Sequence, residues 1–144
     1  MADATPLAFI DKDRRFEVLI MPDAIAAMVS AATKAGRKET GGILIGRLEN
    51  DGATAVVFEA TSKPRDSSFG WSWFQRGARG LKALLARRWA EGSHYLGEWH
   101  YHPFSSPLPS GSDRTAMADI SGDGRYCCPE PVLAIIGGDR KSVV

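Results

Sequence analysis

The sequence predicts an α/β fold, a mixed β-sheet with helices packed on it. Three observations carry that expectation. Short apolar, β-branched runs alternate with segments whose apolar residues recur at helical spacing, in the order β-α-β-β-α-β-α-β. Asn50-Asp51-Gly52 is a strong hairpin turn between two of the strands. The 144 residues suit one domain, 1–144, long enough to bury a core.

Taken in order, Phe16-Glu17-Val18-Leu19-Ile20 reads as the first strand. Pro22-Asp23 opens a helix in which Ile25, Met28, Val29 and Ala32 share a face, and Gly36 stops it. The basic run Lys34–Lys38 complements the negative end of that helix. Ile43-Leu44-Ile45 is the centre of a buried strand, and the Gly41-Gly42 pair at its head permits close backbone approach. After the hairpin turn, residues 55–60 return as its partner. Residues 63–72 form a turn-rich connection, with Phe69, Trp71, Trp73 and Phe74 as core anchors or a contact surface. A second helix is expected from Phe74 to Ala90, with Leu81, Leu84, Leu85 and Trp89 as its apolar stripe. Residues 95–102 form a strand, residues 112–120 a third helix, and residues 132–136 a last apolar strand. The final residues, 141–144, read as the start of a further strand.

Composition narrows the function. A net charge of +1 gives no footprint for nucleic acid or an anionic membrane surface. The basic residues between Arg76 and Arg88 read as a solvated helix face. No apolar run approaches the about 18 residues needed to span a bilayer. Met1–Arg15 lacks an apolar signal core, so a cytoplasmic location is expected. The only cysteines, Cys127 and Cys128, are adjacent and form no disulfide framework; they read as inert packing in a reducing compartment.

The chemistry concentrates in Gly97-Glu98-Trp99-His100-Tyr101-His102-Pro103 and the loop down to Asp113. Alternation along a strand projects His100 and His102 to one face, roughly 6–7 Å apart at the backbone, with Trp99 and Tyr101 on the other. Asp113, at the start of the third helix, is the natural third ligand. Two imidazoles and a carboxylate suit Zn2+ and leave a fourth position for water, the pattern of a catalytic site. Ser110-x-x-Asp113 also matches a capping box, which competes for the Asp113 carboxylate. Water on such a zinc ion needs a base near the metal but off it. Glu98 shares the histidine face, and Glu39 lies far upstream at the head of the Gly-Gly strand. Local geometry leaves both open.

Glu39-Thr40-Gly41-Gly42-Ile43-Leu44-Ile45-Gly46 with His100-x-His102-x7-Ser110-x2-Asp113 resembles the JAB/MPN family of zinc metallopeptidases carrying the JAMM motif. The resemblance implies a cytidine-deaminase-like three-layer fold over roughly residues 16–137. It implies that His100, His102 and Asp113 ligate zinc, that Glu39 is the general acid/base, and that Ser110 hydrogen-bonds the tetrahedral intermediate. It implies hydrolysis of the isopeptide or peptide bond after the C-terminal glycine of a ubiquitin-like protein or its conjugate. The compact size and the Gly-Glu-Trp-His context are similar to prokaryotic, deubiquitinase-like members of operons with ubiquitin-activating-like enzymes, some of them anti-phage. Trp71, Trp73 and Phe74 fall where the family carries a substrate-contacting insertion. Two alternatives stand beside this, a non-catalytic scaffold of the same fold and a peptidase acting on a sulfur-carrier protein.

Overall fold

The computed structural model describes residues 5–69, 74–104 and 107–138, without the side chains of Phe69, Phe74 and Gln75. Its elements are β1 (Leu7–Ile10), β2 (Glu17–Ile20), α1 (Pro22–Ala35), β3 (Thr40–Glu49), β4 (Thr54–Ala60), β5 (Ser68–Phe69), β6 (Phe74–Gln75), α2 (Leu81–Ala90), β7 (His94–His102), α3 (Gly111–Gly122) and β8 (Val132–Gly137). Six strands form one mixed sheet in the order β1-β2-β4-β3-β7-β8, while β5 and β6 pair separately. Among the described residues no helix is long and apolar enough to cross a membrane.

The expected helices and hairpin are present, with helical ends that differ. Helix α1 starts with Pro22 in its first turn and ends where Gly36 takes a positive φ of 64°. It buries Ala24, Met28 and Ala32 against one face of the sheet, where they meet Leu44, Val57, Leu96, Trp99 and Tyr101. On the opposite face Ile43, Ile45 and Tyr95 meet Leu81, Leu84 and Leu85 of α2 and Ile120 of α3. The hairpin loop holds Asn50, Asp51 and Gly52 at φ of 53°, 55° and 86°, the left-handed region that these residue types tolerate best.

Three strands were not expected, and each is short. Strand β1 is the apolar run Leu7-Ala8-Phe9-Ile10, too brief to carry a period of its own; it forms because β2 supplies an antiparallel partner. Strands β5 and β6 lie in the turn-rich connection. They displace the start of α2 from Phe74 to Leu81, since residues 74–75 pair with 68–69 instead of entering the helix. Asp66 reinforces that outcome by accepting hydrogen bonds from the amides of Ala78 (3.0 Å) and Arg79 (2.9 Å). Trp89 is also corrected: it is 69% exposed, while Leu81, Leu84 and Leu85 of the same stripe pack inward. Trp71, Trp73 and residues 141–144 lie outside the described residues.

The head of β3 is where the glycine pair matters. A Cβ at Gly42 would stand 2.1 Å from the Thr61 carbonyl oxygen, so only glycine admits that strand end. The same carbonyl accepts from Trp99 Nε1 at 2.7 Å, and Thr61 Oγ1 accepts from the Ile43 amide at 3.0 Å. Trp99 is fully buried. Trp99→Ala is therefore expected to lower the unfolding free energy by about 3–5 kcal/mol, read from the urea midpoint, because it leaves a cavity and an unpaired carbonyl.

Candidate metal centre and its base

Strand register assembles the site. β3 and β7 run antiparallel with Thr40 opposite Tyr101 and Gly41 opposite His100. Glu39, one residue before Thr40, therefore comes across from His102. Its Oε1 lies 3.4 Å from His102 Nε2. The two imidazole centroids are 6.5 Å apart on one face, with Trp99 and Tyr101 in the core on the other. Asp113 reaches both histidines from the first turn of α3: Oδ1 is 2.8 Å from His100 Nδ1, and Oδ2 is 3.5 Å from His102 Nε2.

The capping box and the cluster do not exclude each other. Ser110 is the N-cap of α3; its Oγ accepts from the Asp113 amide at 3.1 Å, and Asp113 Oδ2 accepts from the Ser110 amide at 2.8 Å. A carboxylate has two oxygens and several lone pairs, so Asp113 caps the helix and faces the histidines together. The cap also fixes its rotamer. Ser110 Oγ additionally lies 3.1 Å from Ser112 Oγ.

All four groups are buried, Glu39 at 6% exposure and His102 at 4%. Burial alone would raise the Asp113 carboxyl, but the hydrogen bonds of His100, His102 and the Ser110 amide hold it well below the usual carboxylate range. Glu39 moves the other way. Burial raises it, with the neighbouring Asp113 adding to the effect and His102 opposing it. Its Oε2 is buried with no hydrogen-bond partner among the described residues. An orphaned carboxylate oxygen beside two imidazoles and a second carboxylate fits a cluster built around a cation and its water. His100, His102 and Asp113 each offer a ligand atom within 4.8 Å of the others. Tetrahedral zinc holds its ligand atoms about 3.3 Å apart, and Asp113 lies 2.8 and 3.5 Å from the two imidazole nitrogens.

Glu98 is occupied elsewhere. A register shift near Gly97 brings Tyr95 and Glu98 to one face, and the Tyr95 hydroxyl donates to Glu98 Oε2 while Arg76 Nε donates to Oε1. Each oxygen of the carboxylate thus has a partner outside the cluster. Burial alone would lower the Arg76 guanidinium, but Glu98 and Tyr126 hold it above its ordinary value. Arg79, Lys82 and Arg87 are exposed, as a solvated face requires, but Arg76 departs from that reading: its side chain is 9% exposed, and Arg88 pairs with Glu59 at 2.6 Å. The signal available in the sequence was Glu98 itself, since a carboxylate on a buried strand requires a cation partner.

Cys127 is exposed and Cys128 half-buried. Both line a cavity of about 870 Å³ with His94, Leu48 and Pro131, at the far end of the sheet from the cluster. Burial pushes the Cys128 thiol up, the opposite of what activates a nucleophile.

Residues 21–144 match the family described as prokaryotic homologs of the JAB domain. A protein of Enterobacter hormaechei subsp. hoffmannii named CD-NTase/cGAS isopeptidase is 47% identical over 133 residues, spanning 92% of this chain and 74% of that one. A Pseudomonas aeruginosa protein of the same name is 35% identical over 105 residues, spanning 69% of this chain and 63% of its own length. A solution structure of a protein from Desulfitobacterium hafniense, 20% identical, superposes with a TM-score of 0.64 over 87% of this chain and 78% of that one, a likeness of fold.

Proposed function

The chain belongs to the prokaryotic homologs of the JAB domain, and from that premise we propose that it is a zinc-dependent isopeptidase of a bacterial CD-NTase system. The observation that carries the reading is the meeting of Glu39 with His100, His102 and Asp113 in one buried cluster. Two relatives bear the name CD-NTase/cGAS isopeptidase, which supports an isopeptide conjugate as substrate. The bond cleaved is the amide after a C-terminal glycine tail. The tail belongs to a ubiquitin-like protein or to the CD-NTase-type protein of the relatives' name.

His100, His102 and Asp113 would hold the zinc, which supplies a Lewis acid for the scissile carbonyl and lowers the pKa of water. Glu39 accepts the proton of the attacking water and returns it to the departing lysine amine, so the amide C–N bond breaks without releasing an amide anion. The Ser110 hydroxyl keeps its oxygen on the Asp113 amide and turns its proton toward the developing oxyanion. The β5–β6 segment offers a strand against which the tail lies extended, with Phe74, and Trp71 and Trp73 beside it in sequence, as the contact surface.

The test presents two isopeptide conjugates to the purified chain, one with a ubiquitin-like protein and one with a CD-NTase-type protein contributing the glycine tail. Zinc-dependent release of either, abolished by chelator, is the expected result. Zinc binding without cleavage of either conjugate would favour a scaffold, and cleavage of a sulfur-carrier fusion alone would redirect the substrate class.

A further inference from the structure

Glu98 lies two residues before His100, buried on the same face of β7. Arg76, its partner, follows directly on β6 and directs its other donors to the Tyr126 hydroxyl (2.6 Å) and the Gly77 carbonyl (2.7 Å). The Tyr126 ring lies 5.8 Å from the guanidinium carbon and 4.7 Å from the Tyr95 ring. One side chain thus joins the end of β6, the metal-ligand strand and the turn after α3.

A two-residue ladder is not stable alone, so the β5–β6 pair must be held from outside. Asp66 and Ser67 close its two feet on each other: Ser67 Oγ accepts from the Gly77 amide at 2.9 Å, beside the Asp66 bonds to Ala78 and Arg79. A Cβ at Gly77 would stand 2.1 Å from Asp66 Oδ1, so the brace needs glycine there. Arg76 carries that brace to β7. The arginine fork fixes direction as well as distance.

We propose that Arg76, latched by Glu98 and Tyr126, is a positioning residue that sets the β5–β6 segment relative to the strand carrying His100 and His102, and so sets the register of the substrate tail. The kinetic half of this inference rests on the isopeptidase reading; the latch does not.

Three variants of the full chain test it, Arg76→Met, Arg76→Lys and Tyr126→Phe. In Arg76→Met, hydrogen exchange of amides 67–69 and 76–79 should rise about tenfold or more, as expected for loss of charge-assisted hydrogen bonds, with the centre of β3 still protected. On the cleaved conjugate KM should rise about tenfold with kcat and zinc content little changed, and Arg76→Lys should recover part of the loss. Unchanged exchange in Arg76→Met overturns the latch. Raised exchange with unchanged KM overturns its link to the substrate. A wild-type chain that cleaves no conjugate overturns the isopeptidase reading and with it the kinetic half, while exchange still decides the latch. If Arg76→Met does not fold, Tyr126→Phe is read the same way: a smaller rise in exchange supports the latch, and none overturns it.

Discussion

Glu39→Gln should reduce turnover of the isopeptide conjugate by about 10²–10⁴-fold while zinc content stays at the wild-type level, the cost expected when a general acid/base is removed. Glutamine keeps the size and a hydrogen-bonding oxygen but neither takes nor returns a proton. The buried, unpartnered Oε2 of Glu39 makes this substitution well tolerated structurally, because no hydrogen bond among the described residues is lost there. Single-turnover cleavage separates the chemical step from release, and metal analysis of the same sample separates the base from the ligands. The informative companion is Glu98→Gln. Both oxygens of Glu98 are held by Arg76 and Tyr95, so its loss should appear in KM. An inactive Glu98→Gln beside an active Glu39→Gln would reverse the assignment.

Removal of a proposed metal ligand is the second large effect expected. His100→Ala, His102→Ala and Asp113→Ala should each weaken zinc binding by more than the about 10–100-fold that an outer partner costs, and each should abolish cleavage. Thermal unfolding provides a readout independent of activity. A ligand present at about 100 times its Kd stabilises the native state by about 2.7 kcal/mol, so zinc should raise the Tm of the wild type and of Glu39→Gln but not of these three variants. Asp113→Ala should also start from a lower Tm without metal, since it removes the acceptor of the Ser110 amide, a cap worth about 1 kcal/mol. Equal zinc-induced shifts in wild type and ligand variants would remove these residues from the metal site.

Much of the fold was legible because long, strongly patterned segments report their own structure. Helix α1 carries a complete set of local signals, proline at the start, an apolar face and glycine at the end. The β3–β4 hairpin is written in Asn50-Asp51-Gly52. Strands β1, β5 and β6 were not legible, since two to four residues hold no period and form only where a partner is supplied. The start of α2 failed for the same reason: Leu81, Leu84 and Leu85 continue a helical pattern, but the segment before them is captured by Asp66 and by β5.

By itself the sequence marked a candidate donor set: two imidazoles projecting together from one strand, and a carboxylate in the first turn of the next helix. Spacing suffices there because alternation along a strand and capping at a helix start are local. Only the tertiary structure decided which glutamate stands beside the two imidazoles and Asp113. Glu98 is closer in sequence and shares their face, yet Arg76 and Tyr95 hold it away, while antiparallel register sets Glu39 opposite His102. The physical reason is that a buried carboxylate goes to whichever partner satisfies it, and those partners are brought together by strand pairing across the whole chain.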